Sequence, residues 1–162
     1  MRIGVVSDTH NNLRNTHRIV ELFNTARVDA VVHTGDVTQP KTLDVLAGLE
    51  APVHGVWGNN DLGELDGLQD RATRHGFRFS TPPLELHWHG RRIIVVHDPL
   101  EFDGHLAAHH DLALHGHTHR QRIEYAGAQL IFNPGECAGH MKGHNVVGVV
   151  DLATLTHELL SF

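Results

Sequence analysis

The sequence predicts an α/β sandwich, in which two packed β-sheets carry helices on their outer faces. In the first half of the chain, short apolar strands alternate with amphipathic helical segments, whereas the second half shows mostly strand periodicity with tight turns. No repeat, low-complexity segment or linker interrupts this order. We therefore expect a single domain that spans residues 1–162.

Strands and helices alternate in the first half of the chain. Apolar runs that end in polar residues predict the strands, and Ile19, Phe23 and Ala26 form an apolar stripe at helical spacing. Asn11 or Asn12 can cap the start of that helix. The predicted order is strand 2–7, helix 13–26, a strand within 29–36, a helix that begins at Pro40, a strand within 51–61 and a helix over 64–76.

The second half is predicted to consist mainly of hairpins. Strand patterns separated by His-Gly and Ala-Gly pairs predict two-residue turns. The predicted order is a hairpin over 84–98, a short helix, strand and loop within 103–119, a hairpin over 120–132 and a final hairpin over 145–162.

Composition excludes several classes of protein. The chain has 40% hydrophobic and 20% charged residues, and no apolar run approaches the length of about 20 residues that a membrane-spanning helix needs. The apolar stretch at the start is too short for a secretory signal, and Cys137 is the single cysteine, so we expect a cytoplasmic protein. Because the net charge of the chain is −6, a nucleic-acid polymer is not expected as a partner. Two divalent ions would nevertheless add positive charge at a binding site.

Side chains that bind hard and borderline metal ions follow the predicted strands. The segments are "SDTH", "TGDV", "GNND", "VVHD" and "HGHTH", and loops at the carboxyl ends of strands converge in α/β sheets. Each segment alone is weak evidence, because an Asp or Asn after a strand more often caps a turn. Their combination predicts a site for two ions of Mn, Fe, Zn, Ni or Co.

These ordered motifs resemble the calcineurin-like metallophosphoesterase superfamily, and in particular its small single-domain phosphodiesterases, along the whole chain. The retromer scaffold subunit shares that fold. The resemblance implies the two-sheet α-β-β-α sandwich and the following candidate ligands: Asp8, His10 and His119 for one ion, Asn59, His97 and His117 for the other, and Asp36 as a bridge between them. Asp36, Asn59 and His97 are also the residues expected to take part in catalysis.

The resemblance further implies a metal-dependent phosphoesterase, most readily a phosphodiesterase acting on a small phosphate ester. Two divalent ions, with Mn²⁺ as the first expectation and Ni²⁺, Co²⁺, Fe²⁺ or Zn²⁺ as alternatives, would generate a bridging hydroxide that attacks phosphorus. The alternative is a non-catalytic, metal-binding scaffold or interaction protein of the same fold, and either kind of protein could form a homo-oligomer.

Three segments depart from the family pattern. Asn60 stands where many members carry a histidine that protonates the leaving group, and Asp61 is expected to order the loop. Asp98 replaces a glycine after His97, where it could bind water, repel an anionic substrate or only shape the loop. Glu136 ends an "NPGE" segment in place of the usual serine, and the following "CAGHMKGH" lacks the expected proline-arginine ending, so phosphate contacts from this loop are not assumed.

The other histidines and arginines have open roles. His33 could orient Asp36 or only pack in its strand. Arg120 is a candidate for phosphate contact. The remaining side chains fall into two groups: candidates for a place near the substrate, namely His105, His109, His110, His140 and His144, and expected surface residues, namely His17, His75, His87, His89, His157, Arg71, Arg74 and Arg78.

Overall fold

In the computed structural model, which describes residues 1–141 and 143–162, the strands form two sheets, so that position 142 of the "CAGHMKGH" segment lies outside the description. The first half of the chain contains β1 (Arg2–Val6), α1 (Leu13–Ala26), β2 (Ala30–His33), α2 (Pro40–Leu46), β3 (Val53–Val56), a 3₁₀ helix (Asn59–Glu64), α3 (Leu65–Arg74) and β4 (Arg78–Ser80). The second half contains β5 (Leu84–Trp88), β6 (Arg91–Val95), a second 3₁₀ helix (Pro99–Phe102), β7 (Leu112–Leu114), β8 (Arg122–Ala126), β9 (Gln129–Asn133), β10 (Val146–Asp151) and β11 (Thr156–Ser161).

The strand order brings the carboxyl ends of five strands to one edge of the sandwich. The first sheet has the order β11-β10-β1-β2-β3-β4, with β1 to β4 parallel. The second has the order β5-β6-β7-β9-β8, with β6, β7 and β9 parallel. The loops after β1, β2 and β3 therefore face those after β6 and β7.

Apolar side chains fill the space between the sheets and beneath the helices. Ile3, Val32 and Phe132 belong to the buried cluster between the sheets, whereas Ile19 and Phe23 of α1 pack on the outer face of the first sheet. Gly4 lies beneath Phe23, and a Cβ at Gly4 would come within 2.8 Å of that ring. These contacts confirm the predicted stripe of α1 and its predicted bounds.

The outer face of the second sheet is covered by the second 3₁₀ helix and the loop after it, whereas α1 packs on the outer face of the first sheet. Phe102, at the end of the second 3₁₀ helix, and Leu106 pack on Ile94, Ala113 and Ile131. The two-sheet α/β sandwich predicted from the sequence is confirmed, and its fourth layer is this 3₁₀ helix with its following loop. No helix that the structure describes is long and apolar enough to cross a membrane.

One expectation about elements was wrong, and one strand was missed. The short helix expected within 103–119 does not form, because Pro99 and the side chain of Asp98 start a 3₁₀ turn earlier, which gives way to extended backbone at Asp103 and to Gly104 at φ 75°. The strand β4, which follows the turn at Gly76, was not predicted. Its three residues pair in parallel with β3, a non-local contact that a short sequence pattern does not reveal.

Candidate metal centre

The seven candidate ligands lie together at the shared edge of the two sheets. They come from the loops after β1, β2, β3, β6 and β7. We call Asp8, His10 and His119 the first metal position, and Asn59, His97 and His117 the second metal position. Asp36 lies between the two.

The first metal position brings two imidazoles against a buried carboxylate. His119 Nε2 lies 3.4 Å from His10 Nε2 and 3.4 Å from Asp8 Oδ1. Asp8 Oδ2 accepts hydrogen bonds from the Ser7 hydroxyl and the His117 backbone N–H, whereas Asp8 Oδ1 is buried without a hydrogen-bond partner among the described residues. A bound cation would satisfy this oxygen, so the residues fit a metal ion.

The second metal position converges on one amide oxygen. Asn59 Oδ1 lies 3.0 Å from His97 Nε2 and 3.0 Å from His117 Nδ1. On its other side, His97 Nδ1 donates to the Thr34 carbonyl oxygen at 2.8 Å, which directs Nε2 toward the site. An oxygen and two nitrogens at these separations also suit a divalent ion.

Asp36 connects the two positions. Its Oδ2 lies 3.4 Å from His97 Nε2 and 3.9 Å from His10 Nε2. Burial alone would raise the pKa of Asp36, but the hydrogen bond and charge of His97 and two bonds from Asn60 hold that pKa well below its usual range. Burial opposes protonation of His97, yet Asp36 and the Thr34 carbonyl raise the pKa of His97 to about 9 in the absence of metal. Asp36 is thus an ionised carboxylate poised between the positions.

Asn60 is bonded to the carboxylate between the positions. Its backbone N–H donates to Asp36 Oδ1 at 3.0 Å and its side-chain amide donates to Asp36 Oδ2 at 2.8 Å. The sequence marks Asn60 only as the place of a missing proton donor. The structure shows that this asparagine fixes the orientation of Asp36.

Asp61 orders the surrounding loops, as expected. This buried carboxylate accepts hydrogen bonds from the backbone N–H groups of Gly58, Asp36 and Thr38. It therefore ties the loop after β2 to the 3₁₀ helix that carries Asn59. These three donors offset part of the cost of burying the carboxylate, although burial still leaves the pKa of Asp61 above its usual value.

The candidate ligands sit on unusual backbone. Asp8, His10, Asp36, His117 and His119 have φ between 46° and 65°, a left-handed conformation that non-glycine residues rarely adopt. Glycines beside them permit close packing, since a Cβ on the glycine that precedes Asn59 would clash with Asp36. The backbone of these loops is thus locally strained, and this conformation directs the side chains toward one point.

Behind the first metal position lies a contact that the sequence did not predict. Glu136 is buried, and its Oε2 lies 2.9 Å from His119 Nδ1. His140 stacks on His119 with ring centroids 5.3 Å apart, and its Nδ1 lies 3.7 Å from Glu136 Oε2. The replacement of serine by glutamate in the "NPGE" segment was the visible signal, but its contact depends on how two distant loops meet.

Several open roles are decided by contacts outside the site. His110 lies on the outer face of the second sheet, where its Nε2 is 2.9 Å from Glu85, so it is not near a substrate. His75, expected at the surface, is half-buried against Asp44. Asp98 caps the second 3₁₀ helix, and its Oδ2 lies 3.7 Å from His117 Nε2. Among the histidines and arginines whose roles the sequence left open, the exposed side chains are those of His17, His87, His89, His105, His109, His140, His144, Arg74, Arg78 and Arg120. Arg71 and His157 are half-buried.

A cavity of 380 Å³ adjoins the second metal position. Trp57, Leu62 and Pro82 give it an apolar side, and Asp98 and Glu101 give it an acidic side. A wider depression of 820 Å³ runs along α1, away from the candidate ligands, and its lining contains none of them. The smaller cavity is therefore the one that can hold part of a molecule bound at the site.

Comparison with known proteins agrees with this arrangement. Residues 1–155 match the family model of the calcineurin-like phosphoesterase superfamily domain. A phosphodiesterase of Methanocaldococcus jannaschii is 30% identical in an alignment of length 161 that covers 93% of each chain. The phosphodiesterase YfcE of Escherichia coli is 28% identical over 83% of this chain and 78% of its own.

Solved structures share the fold. An archaeal phosphodiesterase superposes with a TM-score of 0.90 at 27% identity and full coverage of both chains. Vacuolar protein sorting 29 from Cryptosporidium parvum, at 18% identity, shows the same fold with a TM-score of 0.64 over 99% of this chain and 96% of its own. From the family match and the shared architecture, the chain belongs to the calcineurin-like phosphoesterase superfamily.

Proposed function

We propose that the chain is a metal-dependent phosphodiesterase that hydrolyses small phosphate diesters at a centre of two divalent ions. The observation that carries this proposal is the convergence of seven side chains with ligand chemistry, from five separate loops, at one edge of the sandwich. The phosphodiesterases among its relatives support the same activity.

The chain's own residues supply orientation and charge for such a reaction. When bound, two divalent ions activate water and withdraw charge from phosphoryl oxygens. Asp36 is held between the two positions by Asn60, and His97 is directed by Thr34. Because the Asn60 amide is engaged with Asp36 and cannot act as a general acid, we expect the best substrates to have leaving groups that need no protonation.

The cavity beside the second metal position favours a small substrate with a neutral or cationic ester arm. Its apolar side would pack on an uncharged group, whereas Asp98 and Glu101 would repel an anionic one. Neither lysine nor arginine is among the described residues that line it. The same charges disfavour a nucleic-acid polymer.

We further propose Mn²⁺ as the metal, because mixed carboxylate, imidazole and amide ligands suit it, with Ni²⁺, Co²⁺, Fe²⁺ and Zn²⁺ as alternatives. A reduced, buried Cys137 is compatible with the cytoplasm. A homo-oligomer is compatible with the proposal and is not needed by it, since all seven candidate ligands come from one chain.

Hydrolysis of 4-nitrophenyl phosphodiesters tests the proposal. The metal-free chain is loaded in turn with Mn²⁺, Ni²⁺ and Co²⁺ and compared with an Asp36→Asn variant whose folding is checked by circular dichroism. We expect turnover that Asp36→Asn lowers by at least about 100-fold, and a lower KM for a neutral second ester arm than for an anionic one. Absence of turnover above the variant with every metal would overturn the proposal.

A scaffold without catalysis is the alternative, and the likeness to vacuolar protein sorting 29 gives it a structural precedent. A scaffold has no need to keep ligand side chains, yet all seven candidate positions here carry them and bring them together. The ester assay on metal-loaded protein separates the two functions, because a metal-binding scaffold would hold the ions and hydrolyse no ester.

A further inference from the structure

The imidazoles that face the two metal positions differ in the groups behind them. The outward nitrogen of His97 donates to a backbone carbonyl, which is neutral. The outward nitrogen of His117 lies 3.7 Å from Asp98, which is beyond a direct hydrogen bond. Among the described residues, His119 has a carboxylate, Glu136, within hydrogen-bonding distance of its outward nitrogen, at 2.9 Å.

Glu136 is itself held in place. Its side chain is buried, its Oε1 accepts the backbone N–H of Met141 at 2.7 Å, and its backbone forms a bridge with Asn145. His119 Nδ1 thus faces a carboxylate that is fixed in position on the side away from Asp8 and His10.

We propose that Glu136 is a positioning residue that acts through His119 and makes the first metal position the tighter of the two. The hydrogen bond places the proton of His119 on Nδ1, so that Nε2 presents its lone pair toward Asp8 and His10. A carboxylate behind a ligating imidazole also makes the ring a stronger donor. The inference rests on the proposed function only in requiring that these positions bind metal.

The second metal position lacks comparable support. Its oxygen donor is the neutral amide of Asn59, His97 is backed by a carbonyl, and the side chain of His117 is 40% exposed. Asp36 is available to both positions. The difference between them therefore comes from Asp8 and from the pair of His119 and Glu136.

Calorimetric titration of the metal-free, full-length chain with Mn²⁺ tests this inference. The wild type should bind two ions with separable affinities. Glu136→Gln retains the size and an acceptor oxygen but removes the charge, and it should weaken the tighter affinity by about 10- to 100-fold while the weaker one stays unchanged. Glu136→Asp should recover part of the lost affinity, and His119→Ala should abolish the tighter binding step.

Asp98→Asn is the matched control, because it removes the carboxylate that lies 3.7 Å from the outward nitrogen of His117 and should leave the tighter affinity unchanged. Unfolding of each metal-free variant by urea separates a loss of folding from a loss of affinity. An unchanged tighter affinity in folded Glu136→Gln, or a change confined to the weaker one, would overturn the inference. Binding of a third equivalent of Mn²⁺ by the wild type, lost in His140→Ala, would also overturn the inference, because Glu136 would then ligate an ion directly.

This result is independent of turnover. If the chain binds two ions as described but hydrolyses no ester, the proposed function fails and the role of Glu136 stands. If esters are hydrolysed but the tighter affinity is the same in Glu136→Gln as in the wild type, the role of Glu136 fails and the proposed function stands.

Discussion

His33 supports the site although it belongs to neither metal position. It is fully buried, its Nδ1 accepts the backbone N–H of Gly35 at 3.1 Å, and its Nε2 lies 3.0 Å from the Thr9 hydroxyl. It thus connects the loop after β2, through the Gly35 backbone, to the loop after β1, through the Thr9 hydroxyl. The sequence left open whether His33 orients Asp36 or only packs in its strand, because the spacing of residues along a strand does not show which way a ring turns.

We expect His33 to make the metal-free chain sensitive to acid. Burial lowers the pKa of His33 from 6.5 to about 3, so its contribution to stability is complete above pH 6.5 and is lost as the pH falls toward 3, where the folded imidazole finally accepts a proton. Between pH 6.5 and 5 the free energy of unfolding should fall by about 1.5 kcal/mol from this residue alone.

Urea unfolding at several pH values checks this expectation. The difference in the free energy of unfolding between wild type and His33→Gln should shrink by that amount between pH 6.5 and 5. His87→Gln, at an exposed histidine of β5, is the control and should leave the slope unchanged. An equal pH slope in wild type and His33→Gln would contradict the assignment.

At the scale of elements, the start of α1 is joined to the loop that carries Glu136 and His140. Asn12 Oδ1 caps the helix by accepting the Asn15 N–H at 3.1 Å, and Asn12 Nδ2 donates to the Ala138 carbonyl at 2.8 Å. Asn15 Nδ2 donates to the Cys137 carbonyl at 2.8 Å. One helix end therefore fixes both its own first turn and the neighbouring loop.

Asn12→Ala should destabilise the chain by about 2 kcal/mol, roughly half from the lost helix cap and half from the lost bond to Ala138. Asn12→Ser keeps the cap alone and should recover about half of the loss. The midpoint of urea unfolding measures both, with Asn11→Ala, at an exposed asparagine, as the control. Equal stability of Asn12→Ala and Asn11→Ala would show that neither bond matters.

Local patterns predicted the elements well where one strong signal determined them. The stripe and cap of α1 determine its bounds, and the His89-Gly90 turn determines one hairpin. The second hairpin turns at Gly127-Ala128, one residue after the predicted Ala-Gly pair, because Ala126 pairs with Gln129. Where structure depends on distant partners, as for the three residues of β4 or the contact of Glu136 with His119, the sequence offered no such signal. The seven candidate ligands were named from motif order, and their mutual distances required the fold.

At the scale of the whole molecule, the candidate site lies across the two sheets. Asp8, Asp36 and Asn59 follow strands of the first sheet, whereas His97, His117 and His119 follow strands of the second. An ion at either position would therefore link the sheets at an edge where buried carboxylates repel each other in its absence.

Metal should accordingly raise the thermal stability of the protein. With free Mn²⁺ at 100 times its dissociation constant, the free energy of unfolding should increase by about 2.7 kcal/mol, which is a rise in Tm of roughly 5–10 °C for a domain of this size. Scanning calorimetry with Mn²⁺ and with chelator measures the shift. Asp36→Asn should show a smaller shift, and an unchanged Tm in the wild type would argue against binding to the folded state.

Five candidate ligands have a left-handed backbone. The positions that would bind metal are therefore also positions where the side chain makes folding less favourable. Each such residue costs about 1–2 kcal/mol relative to glycine, which adopts that backbone freely. Substitutions that make the metal-free chain easier to fold would therefore tend to delete the candidate ligand side chains. Selection for stability alone would therefore be expected to replace Asp8, His10, Asp36, His117 and His119 first.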